Sequence, residues 1–178
     1  TKNAELYPVI KADGYGHGAV NIALSLLDSG IKTVCVATHE EIIELISADI
    51  DLSVLHLGKI FYNDFKIYFN KNVILTINCY EDVEKVKFYT KKYQQTIRCH
   101  IKIDTGLNRM GCKASEFKLI YSEICKIKLI LLEGVYSHLS SSPDLNAASN
   151  CLQFNCFKKA VNFIQDPNIK LHFLNSGG

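Results

Sequence analysis

The sequence lacks several features that would assign it to common classes of protein. Its formal net charge is only +2 and its lysines are scattered rather than clustered, so binding to nucleic acid or to a membrane surface has no electrostatic support. No apolar run approaches the roughly 20 residues of a membrane span, and the first residues carry no signal-peptide pattern. We therefore expect a cytoplasmic protein that binds neither nucleic acid nor membranes.

Metal-binding and disulfide patterns are also missing. Seven cysteines are present, but no Cys-x-x-Cys pair and no His/Cys ligand spacing connects them. An odd number without such spacing argues against a disulfide framework and against a zinc site. We expect no metal, a reducing compartment, and most thiols buried as small apolar side chains. Cys112 is the one thiol beside a candidate functional motif.

What the sequence does contain is an alternation of short apolar runs with helical patterns, which is typical of βαβ units and a parallel sheet. Its 178 residues, 48% of them hydrophobic, are enough for one domain with a full core. The predicted strands cover residues 7–12, 33–37, 52–57, 73–77, 96–103, 129–136 and 171–174. The predicted helices cover residues 21–27, 38–48, 61–69, 81–93, 115–125 and 146–164. Thr38 and Glu41 form a capping box, and Ser115 is a predicted N-cap.

The strand count predicts an incomplete fold. A closed parallel barrel needs eight strands, and an open edge would favour aggregation. Because the sequence ends after a seventh strand and has no initiator methionine, we expect a piece of a longer or truncated protein. Residues 1–178 would then form an incomplete (β/α)8-type parallel barrel domain. A doubly wound open sheet is the alternative, but no Gly-x-Gly-x-x-Gly fingerprint follows the first predicted strand.

Lys11 is the first candidate for chemistry. It stands at the predicted end of the first strand, directly before a loop that contains Gly14, Gly16 and Gly18. Desolvation there would lower the pKa of its ammonium group and favour attack of the amine on a carbonyl, while the glycines allow close approach of the backbone to a ligand. A lone lysine before such a loop is more often one that snorkels or touches a phosphate.

Other predicted strands also end in polar residues, which is where barrel enzymes place their active sites. Residues 102–111 span the end of the fifth predicted strand and the loop after it. Ser137 and His138 follow the sixth strand, and Asn175 and Ser176 follow the seventh. His100, Lys102 and Asp104 alternate along one face of the fifth strand. Each residue also has a structural interpretation: a surface salt bridge for Arg109, a core position for His138, a simple turn for 175–178. His39, His56 and His172 have no partner pattern and are predicted to be structural.

Two of these stretches resemble one family. Residues 11–18, Lys-Ala-Asp-Gly-Tyr-Gly-His-Gly, resemble the signature Lys-Ala-(Asp or Asn)-x-Tyr-Gly-His-Gly of the alanine racemases, with Gly14 where alanine is commoner. Residues 102–111 fit that family's pattern Lys-x-Asp-Thr-Gly-(Met or Leu)-x-Arg-x-Gly. The resemblance implies a (β/α)8 barrel followed by a β-rich domain, pyridoxal 5'-phosphate as cofactor, and a homodimer. It also implies interconversion of L- and D-alanine, which supplies D-alanine for cell-wall peptidoglycan.

The resemblance further implies roles for individual residues. Lys11 would carry the cofactor covalently and act as a catalytic base. Arg109 would bind a ring oxygen of the cofactor and the substrate carboxylate, and Lys102 would be carbamylated and brace that arginine. The other cofactor contacts implied by the resemblance are Tyr15, His138, Asn175 and Ser176.

The family's opposite-face tyrosine and its Arg-x-Gly segment after the seventh strand are not in this sequence. We therefore expect that residues 1–178 alone do not racemise an amino acid.

Three other interpretations stay open. The alternatives are a non-catalytic barrel that binds pyridoxal phosphate, a decarboxylase of the same barrel type, and an inactive truncated fragment. The choice between alanine, serine and another small amino acid also stays open.

Overall fold

The structure is a computed structural model that describes residues 4–140 and 148–173. The chain divides into two units, residues 1–76 and 77–178. The first unit contains α1 (Lys11–Gly16), α2 (Ala19–Asp28), β1 (Thr33–Val36), α3 (His39–Ser47), β2 (Ser53–His56), a 3₁₀ helix (Tyr62–Phe69) and most of β3 (Val73–Ile77). The second contains α4 (Tyr80–Tyr93), β4 (Ile97–Asp104), β5 (Cys112–Lys113), α5 (Ala114–Cys125), β6 (Ile130–Tyr136), α6 (Ala148–Val161) and β7 (Lys170–His172).

In the first unit, β1, β2 and β3 are parallel neighbours. All of β1 pairs with β2, and Val54 and Leu55 of β2 pair with the start of β3. Cys35, Leu55 and Ile74 form the core cluster of these strands. All residues of β1 and β3 are buried, which explains why they read as continuous apolar runs rather than as an alternating pattern.

In the structure, the first predicted strand, residues 7–12, is reduced to an isolated bridge. A single parallel bridge joins Val9 to Cys35, with Cys35 N donating to Pro8 O at 2.7 Å and Ile10 N donating to Cys35 O at 2.9 Å. The prediction that this strand continues to residue 12 is wrong, because the chain winds into α1 from Lys11 onward. Lys11 therefore begins a turn directly after the bridge.

The capping box at α3 is confirmed. Thr38 Oγ1 accepts the Glu41 backbone N–H at 3.3 Å, and the Glu41 carboxylate accepts the Thr38 backbone N–H at 3.0 Å. These two bonds satisfy N–H groups that have no partner within the helix. They fix the start of α3 directly after the end of β1.

In the second unit, β4, β6 and β7 are parallel neighbours. The register places His100 beside Gly134, Lys102 beside Tyr136, and Tyr136 beside His172. The register of β4 and β6 shifts after Cys99, as at a β-bulge that re-aims the following side chains. The two-residue strand β5 pairs with the end of β4 and was not predicted, because it contains no apolar run.

Some predicted boundaries in the second unit are wrong. Helix α5 begins at Ala114 with Lys113 as its N-cap, so Ser115 lies inside the helix and does not cap it. Within the described residues, α6 ends at Val161, three residues before its predicted end at residue 164. Among the helices of the described part, none is long and apolar enough to span a membrane.

The cysteines are all free thiols, but the expectation that most of them are buried is wrong. Only Cys35, Cys99 and Cys112 are buried, and the other four are half-buried or exposed. Burial raises the pKa of Cys112 to about 12, so this thiol carries almost no reactive thiolate at neutral pH.

Candidate active site

Lys11 lies at the head of a strained turn. It is half-buried, and the four residues that follow it, Ala12 to Tyr15, have φ values of 53°, 52°, 61° and 56°. Left-handed backbone costs roughly 1–2 kcal/mol for each residue that carries a Cβ. Such a turn persists only where its surroundings hold it, and strain of this kind collects at functional sites.

Several hydrogen bonds hold this turn. Gly14 N donates to Ile10 O at 2.9 Å, and Gly18 N donates to Asp13 O at 2.9 Å. The carboxylate of Asp13 accepts the backbone N–H of Ala19 at 2.8 Å, which ties the turn to the first residue of α2. The side chain of Asp13 thus serves as an acceptor for a free N–H at the start of that helix.

Tyr15 lies on the same left-handed turn as Lys11. Its side chain is 60% exposed, so the phenol is available to a ligand. At Gly16 the φ value is +86°, and the position that a Cβ would occupy is open space. The turn therefore presents an amine, a phenol and an uncovered stretch of backbone.

Lys102 is the buried cation of the second unit, with only 4% of its surface exposed. Its Nζ lies 5.5 Å from the centroid of the Tyr136 ring, a cation–π distance. Burial first, and then the positive charge of Arg109, lower the pKa of Lys102 to about 8, although Asp104 acts in the opposite direction. A substantial fraction of this amine is therefore neutral near physiological pH.

The loop after β4 presents Arg109. The carboxylate of Asp104 accepts the backbone N–H groups of Gly106 at 2.9 Å and of Asn108 at 3.1 Å, which folds the loop back on itself. Arg109 is exposed, and it forms no ion pair with a carboxylate in the part of the chain that the structure describes. The surface salt bridge considered for Arg109 is therefore not present there.

Gly111 closes the same loop. Its φ is +120°, and a Cβ built on it would lie 2.7 Å from the backbone nitrogen of Asp104. Only glycine fits so close to the end of β4. This contact explains the glycine at the end of the second sequence pattern and holds the loop against the strand.

His138 follows β6 and is half-buried. Next to it, Ser137 Oγ lies 2.8 Å from Thr105 Oγ1 of the β4 loop, so the loops after β4 and β6 are joined by a hydroxyl pair. Of the predicted candidates, Lys102 thus lies in β4, Arg109 lies in the loop after β4, and His138 follows the neighbouring strand β6 of the same unit. Asn175 and Ser176 lie outside the described residues.

Gln153 is a residue of this region that the sequence did not reveal. It lies on α6, is only 5% exposed, and accepts the backbone N–H of Ser140 at 3.0 Å. Its Cγ lies 3.3 Å from the position that a Cβ on Gly106 would take. Gln153 therefore packs against the loops after both β4 and β6. A glutamine in a helix is ordinarily exposed, so no local pattern indicated this position.

Two histidines, the buried His100 and the half-buried His172, lie beside the buried Tyr136 in the second unit. Nδ1 of His100 is 3.0 Å from Nε2 of His172, and the ring of Tyr136 stacks on His172 with centroids 4.7 Å apart. Gly134 leaves room for the His100 ring, because a Cβ there would lie 2.7 Å from Cε1 of His100. A hydrogen bond between two imidazoles needs a donor and an acceptor, so both rings are neutral or only one is charged.

Burial lowers the pKa of His172 to about 4, with a smaller contribution from the positive charge of Lys170. Burial, followed by the charges of His172, Lys170 and Arg98, holds the pKa of His100 well below its usual range. Both imidazoles are therefore neutral at physiological pH, and this makes the second unit sensitive to acid.

We expect the free energy of unfolding to fall as pH decreases from about 6.5 to about 4. In this window the unfolded chain takes up protons at the positions of His100 and His172, whereas the folded chain does not. A single histidine shifted from 6.5 to about 4 contributes about 3 kcal/mol of this loss. Denaturant unfolding at a series of pH values measures it, and His172→Gln should flatten the slope. An equal slope in the variant would contradict the prediction.

Comparison with known proteins agrees with the two sequence patterns. The family model described as "Alanine racemase, N-terminal domain" matches residues 1–178. The chain belongs to the alanine racemase family. Among curated alanine racemases, that of Staphylococcus epidermidis is 34% identical, with 99% of this chain and 46% of the relative covered. Alanine racemase 2 of Oceanobacillus iheyensis is 32% identical, with 92% and 42% covered. The chain thus spans less than half the length of these relatives.

Solved alanine racemases share the fold. The enzyme of Clostridium difficile 630 superposes with a TM-score of 0.91 at 28% identity, over 99% of this chain and 47% of that one. The alanine racemase of Bartonella henselae, solved with covalently bound pyridoxal phosphate, superposes with a TM-score of 0.85 at 26% identity, over 98% and 50%. The predicted (β/α)8-type parallel barrel, present in part, is confirmed, and the doubly wound sheet is not the fold of this chain.

Proposed function

We propose that the protein carrying this chain is a pyridoxal-phosphate-dependent isomerase that interconverts L- and D-alanine. The D-alanine that it forms would be used in cell-wall peptidoglycan. The observation that carries the proposal is Lys11, half-buried at the head of a strained left-handed turn, in a chain of the alanine racemase family. The covalently bound pyridoxal phosphate of the Bartonella henselae relative supports the choice of cofactor.

The described residues fit this cofactor by their chemistry. Lys11 offers an amine for the cofactor's aldehyde, and Tyr15 offers an exposed phenol that can donate to a phosphate oxygen. The open backbone at Gly16 lets a phosphate approach closely. Arg109 offers an exposed guanidinium without an ion-pair partner in the described part of the chain, and this group binds carboxylates in a bidentate manner.

The mechanism assigns one task to each residue. Pyridoxal phosphate, when bound, withdraws electrons from the substrate's α-carbon and makes its proton acidic. Nζ of Lys11 takes or returns that proton on one face, the face of the D-enantiomer by resemblance to the family. Arg109 orients the substrate through its carboxylate, and His138 supports the cofactor ring. Return of a proton on the opposite face inverts the centre.

The whole protein needs parts beyond these residues. We propose that residues 1–178 are the cofactor-binding barrel part and that Asn175 and Ser176 help to hold the phosphate. By resemblance to the family, a C-terminal β domain would supply the opposite-face tyrosine across a homodimer. Seven free thiols support a reducing compartment such as the cytoplasm.

We expect Lys102 to be carbamylated. A neutral amine attacks carbon dioxide, an N–C bond forms, a proton leaves the nitrogen, and the side chain becomes an anion. The pKa of about 8 supplies the neutral amine, and the neighbouring positive charge of Arg109 favours the anion. The carbon of ¹³C-labelled bicarbonate should therefore give a carbamate resonance in the protein.

The resonance should disappear in Lys102→Gln and remain in Lys113→Gln. Lys113 is exposed and lies in the same region, so it is a matched control for the loss of one lysine. A wild-type protein without the resonance, in the presence of bicarbonate, would show that Lys102 braces Arg109 in another way or not at all.

The experiment that tests the proposed function combines a spectrum with an assay. Pyridoxal phosphate is added to the protein, absorbance is recorded before and after borohydride, and the reduced adduct is mapped by peptide analysis. Racemisation of L-alanine is followed by circular dichroism. A label on Lys11 with racemisation supports the proposal. A label on Lys11 without racemisation would indicate a non-catalytic cofactor-binding barrel, and no specific label would indicate an inactive fragment.

A further inference from the structure

We propose that Glu41 is a positioning residue that fixes the orientation of Lys11. The inference rests on the proposed function, in which Lys11 carries the cofactor. Oε1 of Glu41 accepts the backbone N–H of Ala12 at 2.6 Å. Its Oε2 accepts the backbone N–H groups of Ala37 at 2.7 Å and of Thr38 at 3.0 Å. One carboxylate thus connects the residue after Lys11 to the end of β1.

The bond to Ala12 acts where the backbone strain begins. Ala12 is the first left-handed residue of the turn, with φ 53° and ψ 53°, and its N–H belongs to the peptide unit that joins it to Lys11. A hydrogen bond to an ionised acceptor is roughly twice as strong as a neutral one. It can therefore offset much of the cost of left-handed backbone at this position. By holding that peptide plane, Glu41 sets the direction in which the Lys11 side chain leaves the backbone.

Helix capping does not account for this arrangement. A capping box needs only the reciprocal bonds between Thr38 and Glu41, and both are present. The bonds to Ala12 and Ala37 are additional, and Ala12 lies 29 residues away in sequence. Asp13 holds the turn to α2 through Ala19. Within the part of the chain that the structure describes, the side chain that bonds the backbone next to Lys11 is that of Glu41.

The test replaces Glu41 by glutamine. Gln has one acceptor oxygen and one NH₂ group, so it can satisfy Ala37 and Thr38 or Ala12, but it places a donor against the remaining N–H. Glu44→Gln is the matched control, because Glu44 lies on the same helix, carries the same charge and is exposed. Thr38→Val is the second control, because it removes the capping hydroxyl and leaves the carboxylate of Glu41 in place.

Two quantities are measured in each variant. Hydrogen exchange of the Ala12 amide is followed without cofactor, and the dissociation constant of pyridoxal phosphate is followed by absorbance of the Lys11 adduct. We expect Glu41→Gln to accelerate the exchange and to weaken cofactor binding, each roughly tenfold or more. Glu44→Gln should change neither quantity. Thr38→Val should lower the unfolding temperature without this loss of binding.

Two results would overturn the inference. One is a Glu41→Gln protein whose Ala12 exchange and cofactor affinity equal those of Glu44→Gln. The other is a Thr38→Val protein with the same loss of cofactor affinity as Glu41→Gln, which would reduce Glu41 to a helix cap. If the wild-type protein does not take pyridoxal phosphate on Lys11, the proposed function fails, whereas the exchange of the Ala12 amide still tests whether Glu41 holds the turn.

Discussion

Lys11→Arg should remove both covalent cofactor binding and racemisation. A guanidinium keeps the positive charge but stays protonated at physiological pH, so it neither attacks an aldehyde nor takes a proton. Loss of a general base alone typically costs about 10²–10⁴-fold, and loss of the covalent attachment adds to it. We therefore expect kcat/KM for L-alanine to fall by at least about 10³-fold, as measured by circular dichroism.

Lys32→Arg is the control for this substitution. Lys32 is exposed and precedes β1 in the same unit, so its replacement tests the general effect of exchanging lysine for arginine. Its kcat/KM should equal that of the wild type. Racemisation by Lys11→Arg within tenfold of the wild-type rate would show that another group carries the proton and would remove Lys11 from the mechanism.

Arg109→Lys should weaken substrate binding more than it affects the fold. Lysine keeps the positive charge near Lys102 but loses the planar fork that binds a carboxylate through two hydrogen bonds. Hydrogen bonds to charged groups contribute about 1.5–3 kcal/mol each, so we expect kcat/KM to fall roughly 10- to 100-fold. Steady-state kinetics should show most of this change in KM.

The other arginine of the chain provides the control. Arg98 pairs with Glu133 through two hydrogen bonds, of 2.5 and 2.9 Å, within the second unit. Arg98→Lys should therefore lower the unfolding temperature and leave kcat/KM unchanged. If Arg109→Lys lowered the unfolding temperature by as much as Arg98→Lys and kept its KM, Arg109 would be a structural residue.

The two groups of candidate residues differ in what holds them. In the first unit, carboxylates at Asp13 and Glu41 bond backbone N–H groups and keep Lys11 at the head of a strained turn. In the second unit, Lys102 is held by burial beside Tyr136 and has a lowered pKa of about 8. A buried lysine cation is costly without a compensating partner, and a carbamate at Lys102 would replace the like-charge repulsion from Arg109 by an attraction.

Local patterns account for the parts of the structure that the sequence predicted well. Strand β3 has the predicted bounds, Val73–Ile77, because a fully buried parallel strand is a continuous apolar run. The capping box at α3 was predicted because its residues lie three positions apart. The buried face of a short helix leaves a weaker signal: in α3, Ile42 and Leu45 are buried while Ile43 is 42% exposed, so its apolar residues do not all lie on the buried side.

The family could be recognised from the sequence alone, because residues 11–18 and 102–111 are contiguous strings whose residue types carry the chemistry. The same two strings also identified residues to test, among them Lys11 and Arg109. How those residues are held became visible only in the three-dimensional fold. Glu41 meets Ala12 across 29 residues, and His100 meets His172 across 72. Contacts at such separations depend on the register of parallel strands and on a left-handed turn, and neither leaves a periodic signal in the sequence.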